Sequence, residues 1–181
     1  MTCVNNFTDY DCGNNLIIVN AEKSQINNSK INFYGKNNIL FVEDGVTLRN
    51  STIDFNKDNS VVYLSRNKHN YLLNCSLNNS NTLYIGKDCY INGIITLIAS
   101  EGKNIIIGDD GLFSFGIWVR TADPHLVYDV NTKERINYSQ SVLIGDHVWL
   151  GQQSLILKGT QIGSGSVLGG GTIVAGKHLL S

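Results

Sequence analysis

Residues 144–176 read IGDHVWLGQQSLILKGTQIGSGSVLGGGTIVAG, and within them a large aliphatic residue returns every six positions: Ile144, Leu150, Ile156, Ile162, Leu168 and Val174. A small residue follows directly at Gly145, Gly151, Gly163, Gly169 and Ala175, and only Leu157 breaks that rule. Four places after each aliphatic stands a small, β-branched or hydroxyl residue: Val148, Ser154, Thr160, Ser166 and Thr172, with His178 the exception. A helix would repeat its apolar face every three to four residues and a strand every two. A period of six fits a triangular solenoid in which each hexapeptide makes one flat side and three make a turn. The aliphatic is then expected to point into the stack, and the glycine to let the backbone turn the corner.

Upstream of this run the same architecture continues less regularly. Short apolar stretches recur at Leu16–Val19, Ile39–Val42, Val61–Leu64, Leu83–Ile85, Ile105–Ile107 and Val142–Ile144. Their last residues are spaced by 23, 22, 21, 22 and 37, against 18 for the rung from Ile144 to Ile162. Residues 1–80 thus read as irregular rungs with extra corner residues, and 140–181 as regular hexapeptide rungs. The interval of 37 holds 19 residues more than a minimal turn, from Thr121 to about Ser139. These cannot be wound into the coil and form one long excursion, 121–139, of the kind that usually carries function. Asparagines cluster before the apolar stretches, at Asn14–Asn15, Asn27–Asn28, Asn37–Asn38 and Asn78–Asn79, where left-handed corners are expected. The whole, 1–181, reads as a single all-β domain without a linker.

Composition narrows the partners. A net charge of −1 with no basic tract argues against nucleic acid and anionic membrane. No apolar run is long enough for a membrane span. Residues 1–11 lack the basic start and apolar stretch of a signal peptide, which predicts a cytoplasmic protein. Cys3, Cys12, Cys75 and Cys89 show no CxxC pairing and no neighbouring histidine, so no metal site is expected, and Cys75 and Cys89 read as small buried solenoid residues. The run His178–Ser181 is no polar cap, which predicts a naturally short chain, a shortened one, or association at that edge.

The excursion carries Arg120-Thr-Ala-Asp123-Pro124-His125-Leu-Val-Tyr128-Asp129 and Lys133-Glu-Arg135-Ile-Asn137, and the next rung opens Ile144-Gly-Asp146-His147-Val-Trp149-Leu-Gly151. These hexapeptides resemble the left-handed β-helix acyltransferase family. The series from Asp123 to Gly151 resembles the branch that O-acetylates capsule and lipopolysaccharide sugars, the sialic-acid type included. The resemblance implies a left-handed parallel β-helix that moves acetyl from acetyl-coenzyme A to a sugar hydroxyl, with His125 as the base. The chemistry agrees, because an imidazole of ordinary pKa about 6.5 can take an alcohol proton near neutrality. It can then return that proton to a departing thiolate, whose thiol has a pKa of about 8.5.

Further roles follow from the same resemblance. Asp123 would orient the imidazole or hold a substrate hydroxyl, with Pro124 fixing the local backbone. Trp149 would line the active site, and Asn92 would contact the acceptor. The donor would lie against Gly151, Gln152, Gly170, Ala175, Gly176 and Lys177, with a backbone N–H near Gly151–Gln152 facing the oxyanion. The family's later Gly-x-Pro-Ala segment is absent. His147, on a rung, is the competing base. Outward Phe113, Phe115, Trp118 and Trp149 call for a neighbouring prism, and the family is homotrimeric with its site between prisms. Two other readings stay open: acetylation of a small xenobiotic alcohol or an amino sugar, and a non-catalytic solenoid that serves as scaffold or binding module.

Overall fold

The computed structural model describes residues 1–8 and 12–176, and among them there is no helix. The strands fall into three columns that make the three faces of a prism. The first face runs through Leu16–Val19, Ile39–Val42, Val61–Leu64, Thr82–Ile85, Ile105–Ile107, Val142–Ile144 and Gln161–Ile162, all parallel. Their register pairs Val19 with Val42, then Leu64, Ile85, Ile107, Ile144 and Ile162 in turn. This is the ladder that the spacing of last apolar residues predicts. The interval of 37 therefore advances the coil by one rung only, and the surplus residues stand outside it.

The second face holds Gln25–Asn27 paired with Thr47–Arg49 and, further along, Tyr90–Ile91, Leu112–Phe113, Trp149–Leu150 and Val167–Leu168. The third runs from Lys30–Phe33 through Thr52–Phe55, Leu73–Leu77, Ile95–Ala99, Trp118–Arg120 and Leu155–Ile156 to Ile173–Val174. Thr2–Val4 pairs antiparallel with Lys30–Phe33 and covers the edge that the parallel stack would leave open.

Alternate residues of each strand point inward and form one continuous core. Ile144, Leu150, Ile156, Ile162 and Leu168 are buried, and Val174 is half-buried against the same core. Cys75 and Cys89 are buried too. Phe113 is a correction. It is 2% exposed rather than outward, because its register aligns it with Ile91, Leu150 and Leu168, all core residues. Its neighbour Leu112 is the outward one.

The glycines after each aliphatic also work differently from the sequence expectation. The left-handed residue at each corner lies three places after the aliphatic: Asp110, His147, Gln153, Gly159, Gly165 and Gly171, with φ between 53° and 78°. Gly145 and Gly151 are small for another reason. A Cβ on Gly145 would sit 2.6 Å from the Ser164 nitrogen, and one on Gly151 2.5 Å from the Gly170 nitrogen. Successive corners stack so closely that no side chain fits between them. Asparagine does fill the left-handed corners of the early rungs, at Asn28, Asn37, Asn50 and Asn59. Asn28 Nδ2 donates to Asn50 Oδ1 at 2.8 Å, so one corner ties to the next.

Candidate functional site

The excursion leaves the coil after Trp118–Arg120 on the third face and returns before Val142–Ile144 on the first. It folds on itself. Ile136 N–H donates to Val127 O, and Asp129 N–H to Glu134 O, both at 2.9 Å. Asp129 Oδ1 closes the tip by accepting the N–H groups of Asn131 and Thr132 at 2.8 Å. Those amides hold its carboxyl below the usual carboxylate range.

The root is fixed by two clusters. In the first, Lys158 Nζ bonds Asp123 Oδ2 at 2.5 Å. Asn137 Nδ2 donates to the same oxygen at 2.9 Å and to the His125 carbonyl at 2.7 Å. Asn137 Oδ1 accepts the Val127 N–H at 2.8 Å. Lys158 foremost, then Asn137, depress the Asp123 pKa against a desolvation that would raise it. In the second, Glu101 Oε2 takes Arg135 Nη2 at 2.9 Å and Ser139 Oγ at 2.6 Å. The Glu101 pKa is lowered by these bonds and that of Arg135 raised. The chain is thus pinned at His125 itself and two residues to either side, while the imidazole stays exposed. No side chain among the described residues of its own chain bonds that ring. Asp123 is occupied by Lys158 and Asn137, so its observed work is to hold the loop root.

Trp149 lies elsewhere, on the outside of the second face. There Tyr90, Leu112, Trp149 and Val167 form one outward column, exposed by 43 to 62%. Between its upper members lies a groove of about 280 Å³ lined by Tyr90, Asn92, Leu112, Phe113, Ser114 and Trp149. The structure therefore brings Asn92 and Trp149 together. His147 sits at the corner between the first and second faces in left-handed conformation, exposed, with Nδ1 3.9 Å from Asp110 Oδ2.

The residues expected to hold the donor separate into two groups. Gly151, Gln152 and Gly170 lie at the corner between the second and third faces, and Ala175 and Gly176 at the corner between the third and first. Lys177 falls outside the described residues. The Gly151 N–H donates to Leu168 O at 2.8 Å within the ladder, so it cannot face an oxyanion, and the reading narrows to Gln152. At Gly170 a Cβ would stand 3.3 Å from Gln152 Cγ and from the Gln152 carbonyl oxygen, so its absence leaves a shallow cradle beside that side chain.

In a triangular prism the corner between the third and first faces is opposite the second face. His125 and Trp149 of one chain thus sit on opposite sides of its coil, and the two donor groups flank the third face. Sequence reasoning missed Lys158, 35 residues from its partner Asp123. A signal was present. Leu157, the one break in the small-residue rule, is next to Lys158 on the corner that the excursion leaves.

Residues 141–176 match the bacterial transferase hexapeptide (six repeats) family. The chain is 35% identical over 147 residues to a polysialic acid O-acetyltransferase of Neisseria meningitidis, spanning 81% of this chain and 67% of that protein. It is 31% identical over 62 residues to the enzyme of the same description from Escherichia coli O1:K1 / APEC, spanning 34% of this chain and 20% of that protein. Among crystal structures, the polySia-specific acetyltransferase NeuO superposes with a TM-score of 0.81 at 29% identity, over 91% of this chain and 74% of that one. The polysialic acid O-acetyltransferase OatWY gives 0.64 at 26% identity, over 92% and 78%.

Proposed function

Because the chain belongs to the left-handed β-helix, hexapeptide-repeat O-acetyltransferases, we propose that it moves acetyl from acetyl-coenzyme A to a hydroxyl of a bacterial surface polysaccharide. The observation that carries this reading is the excursion: a histidine on a pinned backbone, its imidazole open to a reacting group, on the longest interval between strands among the described residues. His125 takes the proton of the acceptor hydroxyl as its oxygen attacks the thioester carbonyl. The C–S bond then breaks, the proton passes to the leaving thiolate, and the products are an acetyl ester and free coenzyme. No covalent bond to the protein is needed. In this reading the N–H of Gln152 steadies the carbonyl oxygen. Gly170, and Ala175 and Gly176 from the other corner, give the slender pantetheine arm close approach to backbone. Trp149 and Asn92 line the acceptor side. With such a donor the reaction belongs in the cytoplasm.

The opposition of His125 and Trp149 across one prism favours a homotrimer. A threefold assembly joins two different surfaces of each chain, so that the excursion of one copy meets the second face of the next. It also brings together the two donor corners that one chain keeps apart, and covers the exposed column at Trp149.

The test is release of free thiol from acetyl-coenzyme A in the presence of polysialic acid, a neutral polysaccharide, a free amino sugar and a small hydrophobic alcohol. Transfer to a polysaccharide with formation of a base-labile ester supports the reading. Transfer confined to the amino sugar or the alcohol, or no transfer to any acceptor, overturns it.

A further inference from the structure

Arg120 is the last strand residue before the excursion, and among the described residues its Nε is the one buried side-chain polar atom without a hydrogen-bond partner. Buried donors are nearly always satisfied, and leaving one unpaired beside a charge is costly. Its guanidinium carbon lies 5.8 Å from the centre of the Trp118 ring, a cation–π contact that braces the plane without using any N–H. Among the described residues it forms no ion pair. The carboxylate that shares its cavity, Asp123, already bonds Lys158 and Asn137.

This arginine lines a cavity of about 240 Å³ with Asn78, Ile98, Ser100, Ala122, Asp123 and Pro124. The floor is mixed: Asn78 Nδ2 donates to Ser100 Oγ at 2.8 Å and Asn78 Oδ1 accepts from Asn56 Nδ2 at 3.2 Å, which leaves the Ser100 hydroxyl proton and a second lone pair of Asn78 Oδ1 to meet hydroxyls. Asp123 with Lys158 is neutral as a pair, so the cavity carries the single positive charge of Arg120. The cavity wall ends at Pro124, and the next residue is His125. A group held here is held at the root of the reacting loop.

We propose that Arg120 is the specificity residue for an acidic acceptor: its Nε and Nη donors grip the carboxylate of a sugar while Ser100 and Asn78 meet that sugar's hydroxyls. This rests on the acetyltransferase reading above. A guanidinium presents two parallel N–H groups that match a carboxylate in one plane, and a lysine ammonium does not. A single charge suits one carboxylate per sugar. A coenzyme phosphate would present the same oxyanion chemistry, and the experiment separates the two.

Transfer to polysialic acid is measured beside transfer to the same polymer with its carboxylates converted to methyl esters, with KM for acceptor and for acetyl-coenzyme A determined separately. The wild-type chain should show a KM for the ester higher by roughly 10- to 100-fold, the range expected for losing a charge-assisted hydrogen bond. Arg120→Ala should raise the KM for the acid by a similar factor, erase the difference between acid and ester, and leave the KM for acetyl-coenzyme A unchanged. Arg120→Lys keeps the charge but not the fork, and should recover only part of the discrimination. Equal use of acid and ester by the wild-type chain overturns the inference and leaves the acetyltransferase reading standing. A rise confined to the coenzyme KM in Arg120→Ala overturns it in favour of a phosphate. Wild-type inactivity toward both polymers removes its premise and overturns it too. The ester comparison in the wild-type chain decides the matter even if Arg120→Ala fails to fold.

Discussion

Lys158 and Asp123 stand 35 residues apart in sequence and meet at 2.5 Å, one on a regular rung and the other at the root of the excursion. This contact joins the excursion to the coil. Both side chains are partly exposed, so the pair contributes little to global stability, on the order of 0–1 kcal/mol. Its effect should appear in the loop instead. Lys158→Ala is expected to leave the melting temperature nearly unchanged and to lower kcat by about 10-fold, since small misplacement of a reacting group is expensive. Limited proteolysis should cut the excursion faster in the variant. A variant as active and as protease-resistant as the parent would show that the tether is idle.

The same contact gives a pH dependence with a definite sign. The Asp123 carboxyl is held below its ordinary value, first by Lys158. The tether therefore contributes fully above the unfolded carboxylate pKa of about 3.9. It is lost as pH falls through the lower folded value. Cleavage of the excursion by an acid-tolerant protease should stay slow from neutrality to about pH 5 and accelerate below about pH 4. Asp123→Asn should cut fast at every pH. Acceleration that begins near pH 6 would point to a histidine instead.

Gly145 and Gly165 are both corner glycines, but they are glycine for different reasons. At Gly145 a Cβ would stand 2.6 Å from the Ser164 nitrogen, whereas at Gly165 there is nothing within 4 Å and φ is +78°. Gly145→Asn should therefore overpack the stack and cost about 1–3 kcal/mol. In a chain of this size that lowers Tm by roughly 2–4 °C for each kcal/mol. Gly165→Asn should cost less than about 0.5 kcal/mol, because asparagine tolerates the left-handed region at an open position. Thermal melts of the two variants in parallel check this, and equal losses would refute the assignment of roles.

What the sequence reveals is what repeats. Leu16–Val19 and its successors pair in the register their spacing implies, because a period that survives six rungs reports a single inward direction. The excursion was legible as surplus length. Phe113 was misread because its aromatic bulk suggested a surface role, while its register with Leu150 places it inside. The contacts at the loop root were not legible, since Asp123–Lys158 and Glu101–Arg135 span 35 and 34 residues between elements with no common period. The opposition of His125 and Trp149 across the prism was implicit in the period, since three hexapeptides make a turn: the excursion ends at Val142–Ile144 and Trp149–Leu150 lies on the next face, so the corner where the excursion stands faces away from Trp149.

That opposition supplies a test of assembly. Sedimentation should give a mass near three times the 19.9 kDa of the chain. Chains carrying His125→Ala and chains carrying Trp149→Ala, each poorly active alone, should regain activity when unfolded and refolded together. In random threefold mixing at equal amounts, about one site in four takes an intact His125 from one copy and an intact Trp149 from the next. Recovery near a quarter of the parent rate supports a shared site. No recovery, with mixed assemblies confirmed by mass, would put both residues in one chain's site.

The proposed base can be tested by comparing the two candidate histidines. His125 sits on a backbone pinned by Asn137 at its carbonyl, and its ring is open to a substrate. His147 occupies a left-handed corner, 3.9 Å from Asp110, and its backbone belongs to the coil. General-base catalysis contributes a factor of about 10² to 10⁴. His125→Ala should lower kcat by that much at saturating acetyl-coenzyme A. Coenzyme binding should stay nearly intact, because the donor corners belong to the rungs. His147→Ala should cost less than about 10-fold, through loss of a corner residue and not of a proton acceptor. Circular dichroism of both variants confirms the fold before the rates are compared. If His125→Ala keeps most of its activity, or His147→Ala loses more, the proton is taken by a different group and the excursion serves the acceptor alone.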